Sequence, residues 1–346
     1  MTHATDDRVG QDRPAALLLM NVRAFTDLFD ASRLARLRRL VNLGHPVRLD
    51  DLNGPNAGAR LAEIEILVTG WGSPVLGPEV LDAAPALRAV IHTGGSVKQH
   101  LSRAFWDRGV VVTSAADANA IPVAEFTLAT ILLEGKRAAQ YVEGYRLSRK
   151  VDGRWRDSIP TAVNFGGTVG IVGLSRVGRR VAELLRPFDF EVLVADPHVD
   201  SIEASAVGAR LVDLDTMLAA SDIVTVHAPE LPDTHHLLDA RRIALLRPNT
   251  VVINTARGSL VDTAALIQRC RAGTLRAILD VTDPEPLPAN SVLFDTPGVV
   301  LSPHIAGAMH SETKRLADSA IDEIDHLCRG LPLAHRVEGG SLGIIA

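Results

Sequence analysis

The chain has 346 residues, of which 47% are apolar and 22% charged, with a formal net charge of −5. That length suits two domains, and that apolar share fills a sizeable core, which excludes an intrinsically disordered chain. Without a broad basic surplus, nucleic acid and anionic membranes are not expected partners. In chain order, a polar leader precedes A-A-L-L-L-M (15–20), which reads as a buried strand. A helix with Leu34, Leu37, Leu40 and Val41 follows, and its basic cluster of Arg33, Arg36, Arg38 and Arg39 reads as a solvated face. Segments 65–70, 89–95 and 110–114 read as further short strands ending in small residues. Apolar runs of this length, bounded by glycine, suit parallel strands covered on both faces.

From Ile121 the pattern changes. Residues 122–142 predict one long helix with Pro122 near its first turn, where proline is tolerated. Residues 151–160 predict a loop. A second strand series is expected at 168–173, 191–196, 222–227, 250–255, 277–281 and 299–304. Helical stretches between most of these strands give the βαβ rhythm of a doubly wound α/β sheet. A last helix begins near Glu312 and runs past this unit, with a return to the first domain as one expectation.

Cys270 and Cys328 make no disulfide framework and fit a reducing compartment. The polar, acidic start M-T-H-A-T-D-D is not expected to be a signal peptide. No apolar run is expected to approach the ~20 residues that span a bilayer. A cytoplasmic protein without a membrane partner is therefore the expectation. No histidine or cysteine spacing resembles a zinc site, so no metal is expected.

Gly173-Leu174-Ser175-Arg176-Val177-Gly178 follows a strand and opens a helix, close to the G-x-G-x-x-G phosphate-binding turn. Gly173 would make the tight turn and Gly178 would let helix and strand pack closely. Backbone N–H groups at the helix start would hold a pyrophosphate. Ser175 stands where the middle glycine is expected. Its side chain narrows the approach to the backbone, although its hydroxyl could donate a hydrogen bond. Taken alone, this turn also fits an ordinary strand–helix junction. Asp196 ends the next strand, where a carboxylate bonds ribose hydroxyls and repels a 2′-phosphate. That favours NAD over NADP; the plainer reading is a strand cap before Pro197.

Three segments then follow strand-like runs: T-A-R-G-S-L-V-D around Arg257, L-D-V-T-D-P-E-P-L-P around Glu285 and L-S-P-H-I-A-G around His304. Arg257 supplies a cationic fork suited to a carboxylate. His304 is the residue type whose ordinary pKa lies near neutrality. Glu285, bonded to His304, would orient the ring and favour its protonated form. Singly, each also reads plainly: a surface arginine, a solvated loop carboxylate and a satisfied core histidine. Their order on successive strand ends, downstream of a dinucleotide turn, points to hydride transfer on a 2-keto or 2-hydroxy acid.

These motifs resemble the D-isomer-specific 2-hydroxyacid dehydrogenase family, most closely over about 119–315. The resemblance implies Arg257 as substrate anchor, Glu285 as the histidine's partner and His304 as acid/base. It places Arg176 and Val177 at the pyrophosphate and Asp196 at the ribose. His227 and Ala228 fall on the loop that passes the cofactor, and Thr255, Ala256 and Asp280 near the nicotinamide. Gly307 falls in the closing turn after His304. The loop T-G-G-S-V-K-Q-H (93–100) is similar to the family's substrate-carboxylate loop, with Gly94, Gly95 and Ser96 at its contacts, although Ser96 stands where the family's second glycine is expected. Lys98 stands there in place of an aspartate and also reads as a solvated loop charge.

The implied fold is a Rossmann NAD-binding domain (120–314) inserted in a smaller flavodoxin-like substrate domain (1–119 and 315–346). Both would be doubly wound parallel sheets, with substrate in the cleft between them. The implied assembly is a homodimer through the cofactor domain, using the helix near 122–143 and the arm with Trp155. Packing of that helix and arm within the chain is the alternative. Competing functions are a short phosphoglycerate dehydrogenase, with no regulatory domain after the last helix, and an NAD-sensing corepressor-like binding protein. Glu285 disfavours the related formate dehydrogenases, which carry glutamine there.

Overall fold

The computed structural model describes residues 13–340, except 55, 56 and 99. The leader therefore lies largely outside the described residues, as do residues 341–346 of the expected substrate domain. The chain divides into two compact units, one made by the chain up to Asn119 and from Ala308 onward, the other by Ala120–Gly307.

The first unit holds a fully parallel five-stranded sheet of β1 (Ala16–Leu19), β2 (Arg48–Leu49), β3 (Ile66–Thr69), β4 (Ala89–His92) and β5 (Val111–Ser114). Its order is β2-β1-β3-β4-β5, the flavodoxin-like doubly wound arrangement. Successive β1 residues alternate between two cores. Ala16 and Leu18 face one with Val68, Ile91 and Leu316, while Leu17 and Leu19 face another with Leu67, Val90 and Phe105. That is why an unbroken apolar run forms this strand: both of its faces are covered.

The second unit holds a fully parallel seven-stranded sheet. Its strands are β6 (Phe165–Val172), β7 (Asp189–Ala195), β8 (Arg210–Leu211), β9 (Ile223–Val226), β10 (Thr250–Asn254), β11 (Leu275–Leu279) and β12 (Val299–Leu301). The order β12-β11-β10-β9-β6-β7-β8 reverses between β6 and β9. An open α/β sheet binds ligands outside the carboxyl ends of its strands, at such a reversal.

Several expectations are corrected. The sequence reading missed β2 and β8, because two-residue edge strands carry no apolar run. The expected long helix at 122–142 is two helices, Ala116–Gly135 and Ala138–Ser148. They are separated at Arg137, whose backbone is left-handed at φ 60°. Pro122 lies inside the first helix, not near its first turn. The expected loop at 151–160 contains a short 3₁₀ helix, Arg154–Ser158. The helix Ala116–Gly135 is also long and apolar enough, by length and composition, to cross a membrane, against the expectation that no segment would be. Its Ala124 and Ile131 are buried in the second unit's core, and Glu134 accepts two bonds from Arg276 at 2.9 and 3.2 Å. Ala124 and Ile131 of this helix thus serve a protein core.

The second crossing between units falls at Gly307/Ala308, ahead of the expected 314/315. Segment 308–313 already packs in the first unit: Ala308 N–H donates to Asn119 Oδ1 at 3.0 Å and the Thr313 hydroxyl to the Asp27 carbonyl at 2.8 Å. The last helix, Thr313–Cys328, also belongs to the first unit and packs on Ala31–Leu40. That contact overturns the solvated reading of the basic cluster for two members. Arg33 pairs with Asp318 at 2.6 Å and Arg36 with Asp322, so they fasten one helix to the other.

Two histidines are buried neutral. His92 lies at the end of β4, 2% exposed, with Nδ1 at 2.9 Å from Thr69 Oγ1. Burial, with the neighbouring His100, pushes its pKa down to about 3. His227 is equally buried, bonded to Thr225 at 2.9 Å, and burial alone lowers it to about 3. Each folded value lies below the unfolded one. The stability they contribute is therefore complete above about pH 6.5 and is lost as pH falls toward 3. At pH 5 each should cost about 2 kcal/mol relative to pH 7. Urea melts at the two pH values should show this loss, reduced in His227→Gln; an equal loss in that variant would mean the ring titrates freely.

Candidate active site

In the second unit, three neighbouring strands lead to four chemical groups. β10 leads to Arg257, β11 to Asp280 and Glu285, and β12 to His304. Asn254, at the end of β10, is buried and fixes the first turn. Its Oδ1 accepts the Ala256 N–H at 3.0 Å and its Nδ2 donates to the Arg257 carbonyl at 2.7 Å. A Cβ on Gly258 would lie 2.0 Å from the Thr282 carbonyl carbon, so only glycine lets this turn press against the segment leading to Glu285. Arg257 is partly exposed, and its Nη1 donates to the Ala256 carbonyl at 2.6 Å.

His304 Nδ1 and Glu285 Oε1 are 2.6 Å apart. Both side chains are partly exposed, which leaves the ring's Nε2 edge for a ligand. The turn carrying His304 hangs on Asp280, which is buried. Asp280 Oδ1 accepts from the Ser302 hydroxyl at 2.5 Å and the Ile305 N–H at 2.9 Å, and Oδ2 from the Ala306 N–H at 2.8 Å. Asp280 spends its carboxylate on internal bonds, because a buried charge needs compensating donors. Asn254 and Ser302 were missed by sequence reasoning. Their signal was a polar residue ending or following an apolar strand.

The glycine-rich turn lies after β6, at the sheet's reversal. Gly173 is left-handed at φ +88°, and a Cβ there would lie 2.7 Å from the Ala228 nitrogen. A Cβ on Gly178 would lie 2.1 Å from the Gly173 carbonyl oxygen, so helix Arg176–Leu185 starts hard against the strand. Ser175 caps that helix, accepting the Gly178 N–H at 3.4 Å. Its side chain is therefore turned into the helix end rather than across the approach. The N–H groups of Ser175 and Val177 donate to no acceptor among the described residues. Orphan donors at a helix N-terminus suit a phosphate. Arg176 is exposed and Val177 half-buried. Asp196 is partly buried, its two oxygens accepting the Leu174 N–H at 2.8 Å and the His198 N–H at 2.9 Å. Each oxygen keeps a lone pair for a further donor.

Ala228 lies against Gly173; the His227 ring is buried, and its main chain lies on the turn. Thr255, nearly buried, shares a 3.1 Å bond with Thr127, and Ala256 is half-buried beside Arg257. Gly307 is the last residue of the unit. In the first unit, the loop after β4 presents Gly94, Gly95 and Ser96, whose N–H groups have no acceptor among the described residues. The Gly94 carbonyl is bonded by Ala115 N–H at 3.0 Å, which fixes the loop's base. Lys98 N–H donates to Ser96 Oγ at 3.4 Å. Among the described residues no group of histidine, cysteine and acidic side chains could hold a metal.

Residues 133–306 match the NAD binding domain of the D-isomer specific 2-hydroxyacid dehydrogenase family. The chain belongs to this family. NAD is the cofactor its matched domain is built to hold. Among relatives of this dehydrogenase chain, it is 36% identical over 258 residues to a glyoxylate reductase of Thermofilum pendens, covering 73% of this chain and 75% of that protein. It is 34% identical over 306 residues to a D-3-phosphoglycerate dehydrogenase of Mycobacterium leprae, covering 86% and 56%. The chain spans about half the length (49–56%) of the curated phosphoglycerate dehydrogenases it matches. A phosphoglycerate oxidoreductase from Rhizobium etli shares the fold, with a TM-score of 0.80, 23% identity and coverage of 95% of this chain and 100% of that one.

Proposed function

We propose that this protein is an NAD-dependent dehydrogenase interconverting a 2-keto acid and a D-2-hydroxy acid. The observation that carries this reading is the His304–Glu285 pair, whose members follow β12 and β11, the two strands beyond the one that ends near Arg257. The orphan donors at Ser175 and Val177, with Asp196 across the turn, would hold the dinucleotide. Bound NADH would supply the hydride that reduces the substrate's carbonyl carbon. Arg257 would bind the carboxylate and polarise the carbonyl. In the first unit, the N–H groups of Gly94, Gly95 and Ser96, which have no acceptor among the described residues, suit a carboxylate. With Nδ1 held by Glu285, His304 would deliver a proton from Nε2 to the carbonyl oxygen, and take it back in oxidation. Phosphoglycerate dehydrogenase activity is the second reading, favoured by the relatives that carry that name.

The test is a panel of 2-keto acids, phosphorylated and not, assayed by NADH absorbance. No turnover with any of them would overturn the reading and favour a binding protein. Asp196 should make NADH the preferred cofactor. Asp196→Asn keeps an acceptor for Leu174 but loses the charge that repels a 2′-phosphate, and should narrow the preference by about tenfold or more. An unchanged ratio of kcat/KM values would remove Asp196 from that role.

We also assign a homodimer through the cofactor domain. The helix Ala138–Ser148 has no buried residue, and it is braced by Trp155, whose ring meets Tyr141 edge-on at 6.2 Å. Leu133, Val142, Tyr145, Leu147, Val151 and Phe165 are exposed, and apolar side chains on a helix without a buried face suit an interface between copies. Sedimentation should give two copies, and Val142→Glu with Phe165→Glu should give one; a monomeric wild type would refute the assignment. The unpaired cysteines, with the buried Cys270 thiol pushed up to about 11 by burial, suit a reducing, cytoplasmic setting.

A further inference from the structure

Glu230 has no part in the scheme above, yet it sits beside the substrate anchor. The turn carrying it is fastened to the segment after Arg257. His236 N–H donates to the Ser259 carbonyl at 2.8 Å, Leu238 N–H to the Leu260 carbonyl at 2.9 Å, and Asp262 N–H to the Leu238 carbonyl at 3.0 Å. On this frame the Ser259 hydroxyl donates to Glu230 Oε1 at 2.5 Å, which fixes the carboxylate. Its other oxygen lies 4.0 Å from Nε of Arg257, an ion pair rather than a hydrogen bond. Arg257 Nη1 is meanwhile bonded to the Ala256 carbonyl. A guanidinium has five N–H donors in a rigid fork. Here the Nε edge faces Glu230 and one Nη1 donor is engaged. The remaining Nη donors are left for a carboxylate.

We propose that Glu230 is a positioning residue for Arg257: anchored by Ser259, it pairs with the Nε edge of the guanidinium and so presents the Nη end to the substrate. The proposal rests on Arg257 being the keto-acid anchor. An arginine held from behind loses less freedom when a carboxylate arrives, so the effect falls on substrate binding rather than on the chemical step. A glutamate that merely decorated the surface would change neither.

The experiment uses the full chain with NADH and glyoxylate. Glu230→Gln keeps size and the bond from Ser259 but removes the charge. KM for glyoxylate should rise about five- to tenfold with kcat within about twofold, and NADH affinity by fluorescence should not move. In an Arg257→Lys background the same substitution should change KM by less than about twofold, because the fork it orients is gone. The dissociation constant of oxalate from the NADH complex, a readout without turnover, should follow the same pattern. An unchanged KM and oxalate affinity in Glu230→Gln, or equal effects in both backgrounds, would overturn the proposal. If no keto acid is turned over while oxalate follows the pattern, the positioning stands and the reaction assigned above fails.

Discussion

Replacing His304 by alanine is expected to lower keto-acid turnover by about a thousandfold across the pH range while NADH binding stays near wild type. The ring is the proton-carrying group after β12, and none of the cofactor donors named above belongs to it. Glu285→Gln keeps the size of the side chain but takes the carboxylate away from Nδ1, so the ring loses its charged partner and turnover should fall while NADH binding stays near wild type. Pre-steady-state reduction with a separate NADH titration measures this directly. A glutamine variant with full activity would break the pairing.

Arg257→Lys should lower kcat/KM by about two orders of magnitude, ~3 kcal/mol, because the charge stays while the bidentate fork goes. The lysine cannot reproduce the bond that Arg257 Nη1 makes to the Ala256 carbonyl together with a two-point grip on substrate. NADH affinity should remain, since the glycine-rich turn lies after β6, on a different strand end. Steady-state kinetics with separate NADH titration tells these apart. Unaltered keto-acid efficiency in the lysine variant would show that another cation holds the substrate.

What the sequence made legible follows from burial. β1, β6 and β10 are covered on both faces, so their apolar runs stand out, and the turns after them are where functional groups lie. The Gly-rich turn, Arg257, Glu285 and His304 were readable as motifs for that reason. β2 and β8 were not, being two-residue edges set by pairing with β1 and β7. The break at Arg137 was hidden because helix-forming residues flank it and only its positive φ ends the first helix. The side-chain bonds that fix the site were equally invisible. Whether a polar residue such as Asp280 or His227 faces a ligand or turns inward depends on tertiary neighbours, which local sequence does not specify.

One such bond network has a further consequence. His304 has a left-handed backbone at φ 54°, which L-residues other than asparagine or aspartate adopt at a cost of about 1–2 kcal/mol. Its N–H is held by the Asp280 carbonyl at 2.9 Å, and the next two N–H groups by the Asp280 carboxylate, so the turn cannot relax. On conformational grounds this position suits glycine, and on chemical grounds it requires an imidazole. Selection for thermostability and selection for turnover therefore pull this one residue in opposite directions, and an inactive glycine variant should outlast the working enzyme on heating.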